Sequence, residues 1–394
     1  TIFFVYIELV EHAFSFKGDI LTRSFKLKSF KMNIKTILPM MMIAAVPMTG
    51  FAQKQAGIKE SNLDKSVRPA DDFYQFATGG WQKNNPLPAA YSRYGSFDQL
   101  GEDNNKRINT ILTSLLKAKA KPGSVEQKLS DFYKLAMDSV RRNKEGVAPV
   151  MPLLNEIENA KTLADLRKIQ LKYASQSYGL PISYGFGADE KNAKMNILNV
   201  SQSGLTLGQK DYYLDNDKST TEIRNAFKKF IVNMFELFGF SKAQAEQNSN
   251  YIMRYETAIA LISKSRTELR DAAANYNKMT LADFKAKYPN IRLEQLLNAD
   301  GVKSADIQEM VVGQPNFLVG VDKLIETETA NELRARIEWE VILGAANYLS
   351  DDVRAEYFNF FSKTMRGTKQ DYPRWKRATQ QIESQMGEAL GKIY

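Results

Sequence analysis

A start signal for helices recurs along this chain and limits what it can fold into. Ser or Thr, followed three residues later by Asp, Glu or Gln, precedes an apolar stripe at Ser96/Gln99, Ser124/Gln127, Thr162/Asp165, Ser219/Glu222, Ser241/Gln244 and Thr280/Asp283. The hydroxyl accepts from the N–H three residues on, and the longer side chain reaches back to the cap, so N–H groups that helix geometry leaves unpaired are satisfied. Behind the first signal, Phe97, Leu100, Ile108, Ile111, Leu112, Leu115 and Leu116 keep helical spacing to about Ala120, and the stripe is expected to be core. Asp71 is expected to cap a short helix ended by Gly79–Gly80. Gly239 is expected to close the helix after Ser219, and the helix from Ser241 to reach about Thr267. Further helices are expected over 327–349, 351–366 and 373–394. Core packing is the expected role of Trp81, Phe97, Tyr212, Tyr213 and Trp375.

Strand signals are sparse. "PISYGFGA" and "KMNILNV" flank "DEKN" and predict a β-hairpin at about 181–200, and "EMVVGQPNFL" holds a short strand near Val311. The fold class is therefore mainly α, a multi-helix region with a small β-hairpin.

The beginning reads as targeting sequence. Met32 opens a short basic start, an apolar run follows from Ile37 to Met48, and Gly50 and Ala52 stand at the −3 and −1 positions before Gln53. This is the grammar of a secretory signal peptide, and the run is too short for the ~20 residues a bilayer span needs. The expected division is 1–31 as upstream sequence translated in frame, 32–52 as signal peptide, 53–66 as a loose polar leader, and 67–394 as the helical region. The protein is expected to be exported, to the periplasm or the exterior, with no stable membrane span. The helical pattern runs up to Tyr394 without a closing cap, so the chain is expected to be a fragment.

Chemistry is tightly restricted. There is no cysteine and a single histidine, His12. Thiolate catalysis, disulfides and cysteine-based metal sites are excluded, and the region from Gln53 onward has no Ser–His or Cys–His nucleophile. "GEALGK" is one residue short of a phosphate loop and lacks its Ser or Thr. "DNDKS" lacks the glycine and closing glutamate of a calcium loop and reads as a helix-start cluster. The net charge of +9 comes from 54 basic and 45 acidic residues that are interspersed, which argues against a nucleic-acid partner.

Four segments together carry more. "ADDFYQFATGGWQKNNPLPAAYSRYGSFDQL", "GLTLGQKDYYL" (Gly204–Leu214), "ANYNKMTLADF" (Ala274–Phe284) and "RWKRATQQIESQMGEALGKIY" occur in this order over residues 69–394. The ordered set resembles the N-terminal portion of the neprilysin-like zinc metalloendopeptidases. That resemblance implies a mostly helical, two-lobed fold around a chamber, with oligopeptides as substrates. In the family, two histidines of an H-E-x-x-H helix and a later glutamate bind zinc, and the motif glutamate activates the metal-bound water. No such segment occurs here. The resemblance thus implies zinc in the full-length protein, none bound by this chain, a catalytic region elsewhere in the same protein, and no catalytic residue or activity in the chain alone.

In the family the arginine of the R-Y-G-x-F-D stretch helps bind the substrate's C-terminal side, often its free carboxylate. Arg93 holds that place and Asp98 is the stretch's aspartate, so both are candidate substrate-binding residues. A guanidinium presents a planar fork to a carboxylate. Two plainer roles stand beside this: Arg93 paired with Asp98 between Tyr91 and Tyr94, and Asp98 stabilising the first helical turn. The alternative function is a peptide-binding or structural relative without catalysis.

Overall fold

The computed structural model describes residues 59–176 and 178–394. The expected upstream segment 1–31, signal peptide 32–52 and leader residues 53–58 lie outside them. The chain divides between Pro88 and Ala89 into two compact units.

In the first unit, helix α1 (Phe73–Asn84) is capped by Asp72, whose carboxylate accepts from the Gln75 N–H at 2.9 Å. Two expectations are corrected here. The cap is Asp72 and not Asp71, and Gly79–Gly80 lie inside the helix rather than at its end. Their small size serves a close approach: a Cβ on Gly80 would stand 2.5 Å from the Ser61 carbonyl oxygen. Residues 59–66, expected as part of a loose leader, form a short 3₁₀ turn and fold back on this helix, with the Asp64 N–H on the Phe76 carbonyl at 2.8 Å.

The second unit holds α2 (Ser96–Lys117), α3 (Val125–Met137), α4 (Ser139–Glu145), α5 (Met151–Asn159) and α6 (Leu163–Lys172). A hairpin follows, β1 (Ile182–Asp189) and β2 (Asn192–Gln202), then α7 (Asp211–Leu214), α8 (Lys218–Leu237) and α9 (Lys242–Ile262). Next come β3 (Asn277–Thr280), α10 (Leu281–Lys287), α11 (Leu293–Ala299), β4 (Glu309–Val312), α12 (Pro315–Thr327) and α13 (Ala330–Ala345). Last are α14 (Asp351–Phe358), prolonged by a π-helical turn over Asn359–Thr364, and α15 (Arg374–Gly391). The mainly helical expectation holds.

Ser124, Thr162, Ser241 and Thr280 cap their helices as the sequence predicts. Two predicted caps are displaced by a nearer aspartate. Before α8 the cap is Asp217 and not Ser219, its carboxylate on the Thr220 N–H at 3.1 Å. Before α2 the cap is Gly95 and not Ser96, and Asp98 accepts from the Gly95 N–H at 2.9 Å. Gly239, at φ 89°, closes α8 as predicted, whereas α9 stops at Ile262, short of Thr267.

The hairpin is the edge of a larger sheet. Its strands pair antiparallel, β2 pairs parallel with β4 through Leu198–Met310 and Val200–Val312, and β3 completes the order β1-β2-β4-β3. The buried Leu198, Val200, Met310 and Val312 pack against α10, α11 and α12 through Phe284, Leu297 and Phe317. A second core fills the space among α5, α6, α8, α9, α13 and α14. Phe230 of α8 stacks on Phe360 of the π turn at 4.8 Å between centroids, and meets Trp339 edge-on at 5.6 Å. The third core joins Ile108 and Leu112 of α2, Leu129 and Tyr133 of α3, and Ala378 and Ile382 of α15. Phe97 departs from its expected core role, with 88% of its surface exposed. It continues the stripe of α2 in its first turn, ahead of Glu102, which α15 reaches through Lys376.

Three carboxyl groups are enclosed around α9 and α13. Burial raises Glu338 to about 8, and Glu256 and Glu340 each to about 7, against an ordinary 4.5. Their partners lower these values only in part: Arg334 and then Asn248 for Glu338, Tyr213, Thr206 and Arg336 for Glu256, and the Gly179 N–H and Arg336 for Glu340. The folded chain therefore binds more protons than the unfolded chain between pH 4.5 and the raised values. Their contribution to stability is complete below that window and is lost as pH rises through it. We expect the urea midpoint to fall between pH 5 and pH 8, and Glu338→Gln to flatten part of that slope; the same slope in wild type and variant would remove Glu338 from this role.

Candidate functional site

Residues 89–98, the end of α13, the π-extended α14, the loop 367–373 and one face of α15 surround a cleft of about 470 Å³. Arg93 and Asp98 both line it. The segment carrying Arg93 has no regular structure of its own and is held from outside. The N–H groups of Lys369 and Gln370 both donate to the Ala89 carbonyl at 3.0 Å. Tyr91 then packs edge-on against Tyr372, with 5.5 Å between centroids.

Lys376 is the pin of this region. Its side chain is 3% exposed, its ammonium pairs with Glu102 of α2, and it donates to the Tyr91 hydroxyl at 2.7 Å. It also sits 3.5 Å from the centre of the Tyr372 ring, where a desolvated cation gains from the ring's negative face. Tyr91 donates to Glu102 in turn. Burial, then the Glu102 carboxylate, push the Tyr91 phenol well above its ordinary value. Burial also pushes Glu102 upward, but the bonds from Lys376 and Tyr91 outweigh it and hold the carboxyl below the usual range.

Asp371 organises the other wall. Arg354 forks onto it through Nε at 2.9 Å and Nη2 at 2.8 Å, Arg377 donates at 2.5 Å, and the Tyr372 N–H donates at 2.8 Å. Burial pushes the Asp371 carboxyl up, and the bonds and charges of the two arginines more than reverse that. Arg354 also bonds Asn347 at the end of α13. One carboxylate thus ties α14 to α15 and pairs with both arginines.

Two other arginines lining the cleft are free. Arg93 and Arg366 are exposed, and neither hydrogen-bonds or ion-pairs with a described residue. The pairing of Arg93 with Asp98 weighed from the sequence does not form. Asp98 turns one oxygen back to the Gly95 N–H and so stabilises the first turn of α2. Four arginines and two aspartates line the cleft, and Asp371 is fully engaged. The surplus of unpaired guanidinium suits an anion, and above all a planar carboxylate.

Sequence reasoning reached Arg93 and Asp98 but not Arg366, Asp371 or Lys376. Glu102 and Lys376 stand 274 residues apart, and no local pattern announces a pair at that separation. The one available signal was the position of Arg366 just before the helix-ending Gly367, at φ 71°.

The described residues do not fit the zinc that the family resemblance implies. Among them no group of three or more His, Cys, Asp or Glu side chains is arranged to hold a metal ion, and His12 lies outside them. Among the same residues, no helix is long and apolar enough to cross a membrane.

Comparison with known proteins agrees with this architecture. Residues 69–394 match the sequence profile of peptidase family M13. Endothelin-converting enzyme 1 of Homo sapiens is 28% identical over 344 residues, covering 85% of this chain and 44% of that protein. The structure of Mycobacterium tuberculosis zinc metalloprotease ZMP1 in complex with inhibitor superposes with a TM-score of 0.80 at 26% identity, covering 86% of this chain and 51% of that one. PepO from Lactobacillus rhamnosis shares the fold, with a TM-score of 0.73 at 22% identity over 83% of this chain and 51% of its own. The chain spans about half the length of these relatives.

Asp371→Asn leaves Arg354 and Arg377 without a charged partner. We expect it to lower stability by about 1.5–3 kcal/mol, the usual worth of hydrogen bonds to a charged group, measured by urea denaturation at pH 7. An unchanged midpoint would mean that Asp371 does not tie these helices.

Proposed function

The chain belongs to peptidase family M13, and from that premise we propose that it is the substrate-gripping part of an exported zinc metalloendopeptidase acting on oligopeptides. The observation that carries this reading is the unpartnered Arg93 in a cleft with surplus guanidinium charge. Export rests on the targeting grammar of residues 32–52.

In this reading Arg93 receives the carboxylate at the peptide's C-terminal end through paired N–H donors. Because Tyr91 is fixed through Lys376 and Glu102, the guanidinium is delivered to the cleft without ordering a long flexible loop at binding. Asp98 keeps the first turn of α2 in place and borders the bound end, setting the position of the arginine more than touching the peptide. The scissile bond is thereby held at a fixed distance from the gripped end, which is how positioning contributes to rate. Zinc, when present in the complete enzyme, would activate the attacking water. Its ligands belong to the half of the relatives' length that this chain does not span, and no residue described here acts on the reacting bond.

Two measurements test the proposal. In an M13 protein of full family length carrying this region, chelation should abolish cleavage of oligopeptides. Arg93→Gln should raise KM for free-acid peptides about 10- to 100-fold, as expected for the loss of about 1.5–3 kcal/mol of charged hydrogen bonding, and leave amidated peptides nearly unchanged. Equal effects on acids and amides would sink the carboxylate grip. The 394-residue chain alone is expected to bind such peptides without cleaving them; zinc-dependent cleavage by the pure chain would overturn that division of labour.

A further inference from the structure

Arg366 has no role in the grip just described, yet it lines the same cleft from a different element. Arg93 arrives on the segment before α2, and Arg366 on the last residues of the helix that continues α14 beyond its π turn. Both guanidiniums are exposed and unpartnered among the described residues. The two other lining arginines are consumed by Asp371 and Asn347, and Asp98 has given an oxygen to the Gly95 N–H. A single carboxylate saturates one guanidinium fork. A ligand with one negative group therefore leaves the other arginine of the lining with its donors unused. The cleft, about 470 Å³, lies within the range of about 300–1,000 Å³ typical of small-ligand sites, so it has room for the last residues of a peptide with their side chains.

We propose that Arg366 is a specificity residue that selects peptides with an acidic side chain in their last two residues, so that two carboxylates meet two free guanidiniums. The inference rests on the reading of Arg93 as the receptor for the terminal carboxylate. The two arginines divide the work: one reads that the chain ends, and the other reads what it ends with. The like charge of the two guanidiniums that line the cleft also disfavours peptides ending in Lys or Arg, so selection works by repulsion as well as attraction.

The test is calorimetric titration of the full 394-residue chain with hexapeptides that differ only in whether the last two residues are Ala-Ala, Ala-Asp or Asp-Ala, each as free acid and as amide. Acidic ends are expected to bind about tenfold more tightly than the neutral end, as one added charge-assisted contact would give. Arg366→Gln should bring that ratio to one while keeping the preference for acid over amide, and Arg366→Lys should keep part of the ratio. Arg93→Gln should do the converse. Because Arg366 is exposed and holds no protein partner, its variants are expected to melt as wild type does. An acidic-end ratio unchanged in Arg366→Gln, or absent from wild type, overturns the inference. Equal binding of acids and amides by wild type, with the acidic-end ratio intact and sensitive to Arg366, would fail Arg93 and keep Arg366. Absence of measurable binding by every peptide overturns both.

Discussion

A buried ammonium holds the cleft together. Taking Lys376 out of water would be costly without compensation, and the fold supplies a carboxylate, a phenol and an aromatic face at once. Those three partners come from α2, from the segment before it and from the loop before α15. Satisfying one charge therefore joins three pieces of chain at one point. Arg93 inherits its position from this arrangement, because Tyr91 two residues earlier is one of the partners. Asp371 does the same for the opposite wall from the carboxylate side, and between them these two groups leave Arg93 and Arg366 as the unsatisfied donors.

The three cores explain why such a cleft is carried by helices. The α2–α3–α15 core and the aromatic core of α8, α13 and α14 border the cleft, and each is close-packed around large side chains such as Leu112, Ile382, Phe230 and Trp339. Rigid supports let exposed arginines be aimed without being bonded. The sheet core lies under a different group of elements and contributes none of the cleft's lining residues.

Much of this was legible where the determinant is local. Ser124, Thr162, Ser241 and Thr280 cap their helices because a hydroxyl and an N–H three residues away need nothing else. Ser96 and Ser219 were misread because Asp98 and Asp217 compete within the same few residues, and a carboxylate is the stronger acceptor. Gly79–Gly80 looked like an ending because the neighbours that require their smallness, Asp64 for Gly79 and the Ser61 carbonyl for Gly80, come from another stretch of chain. Phe97 obeys the periodicity of α2 and is still exposed, since period alone does not say how far the covering helix extends. The four-residue β3 carries too short a signal to stand out. In the cleft, Arg93 was legible through a motif, whereas Arg366, Asp371 and Lys376 acquire meaning only from partners far along the chain.

The π turn at Asn359–Thr364 has a consequence for comparing this chain with its relatives. Such a turn accommodates one residue more than an α-helical turn, so it is in effect an insertion absorbed without a loop. Deleting one residue there would restore ordinary winding, and since the wider turn already takes up the rotation of about 100° that one α-helical residue adds, the residues beyond it would keep their facing. The Phe360 stack could be refilled by a neighbouring aromatic, since Phe361 follows directly, and Arg366 would stay on the cleft wall. Length at this one spot is thus uncoupled from charge in the cleft, and a gap of a single position in an alignment would mark a change of winding and not of what the cleft can recognise.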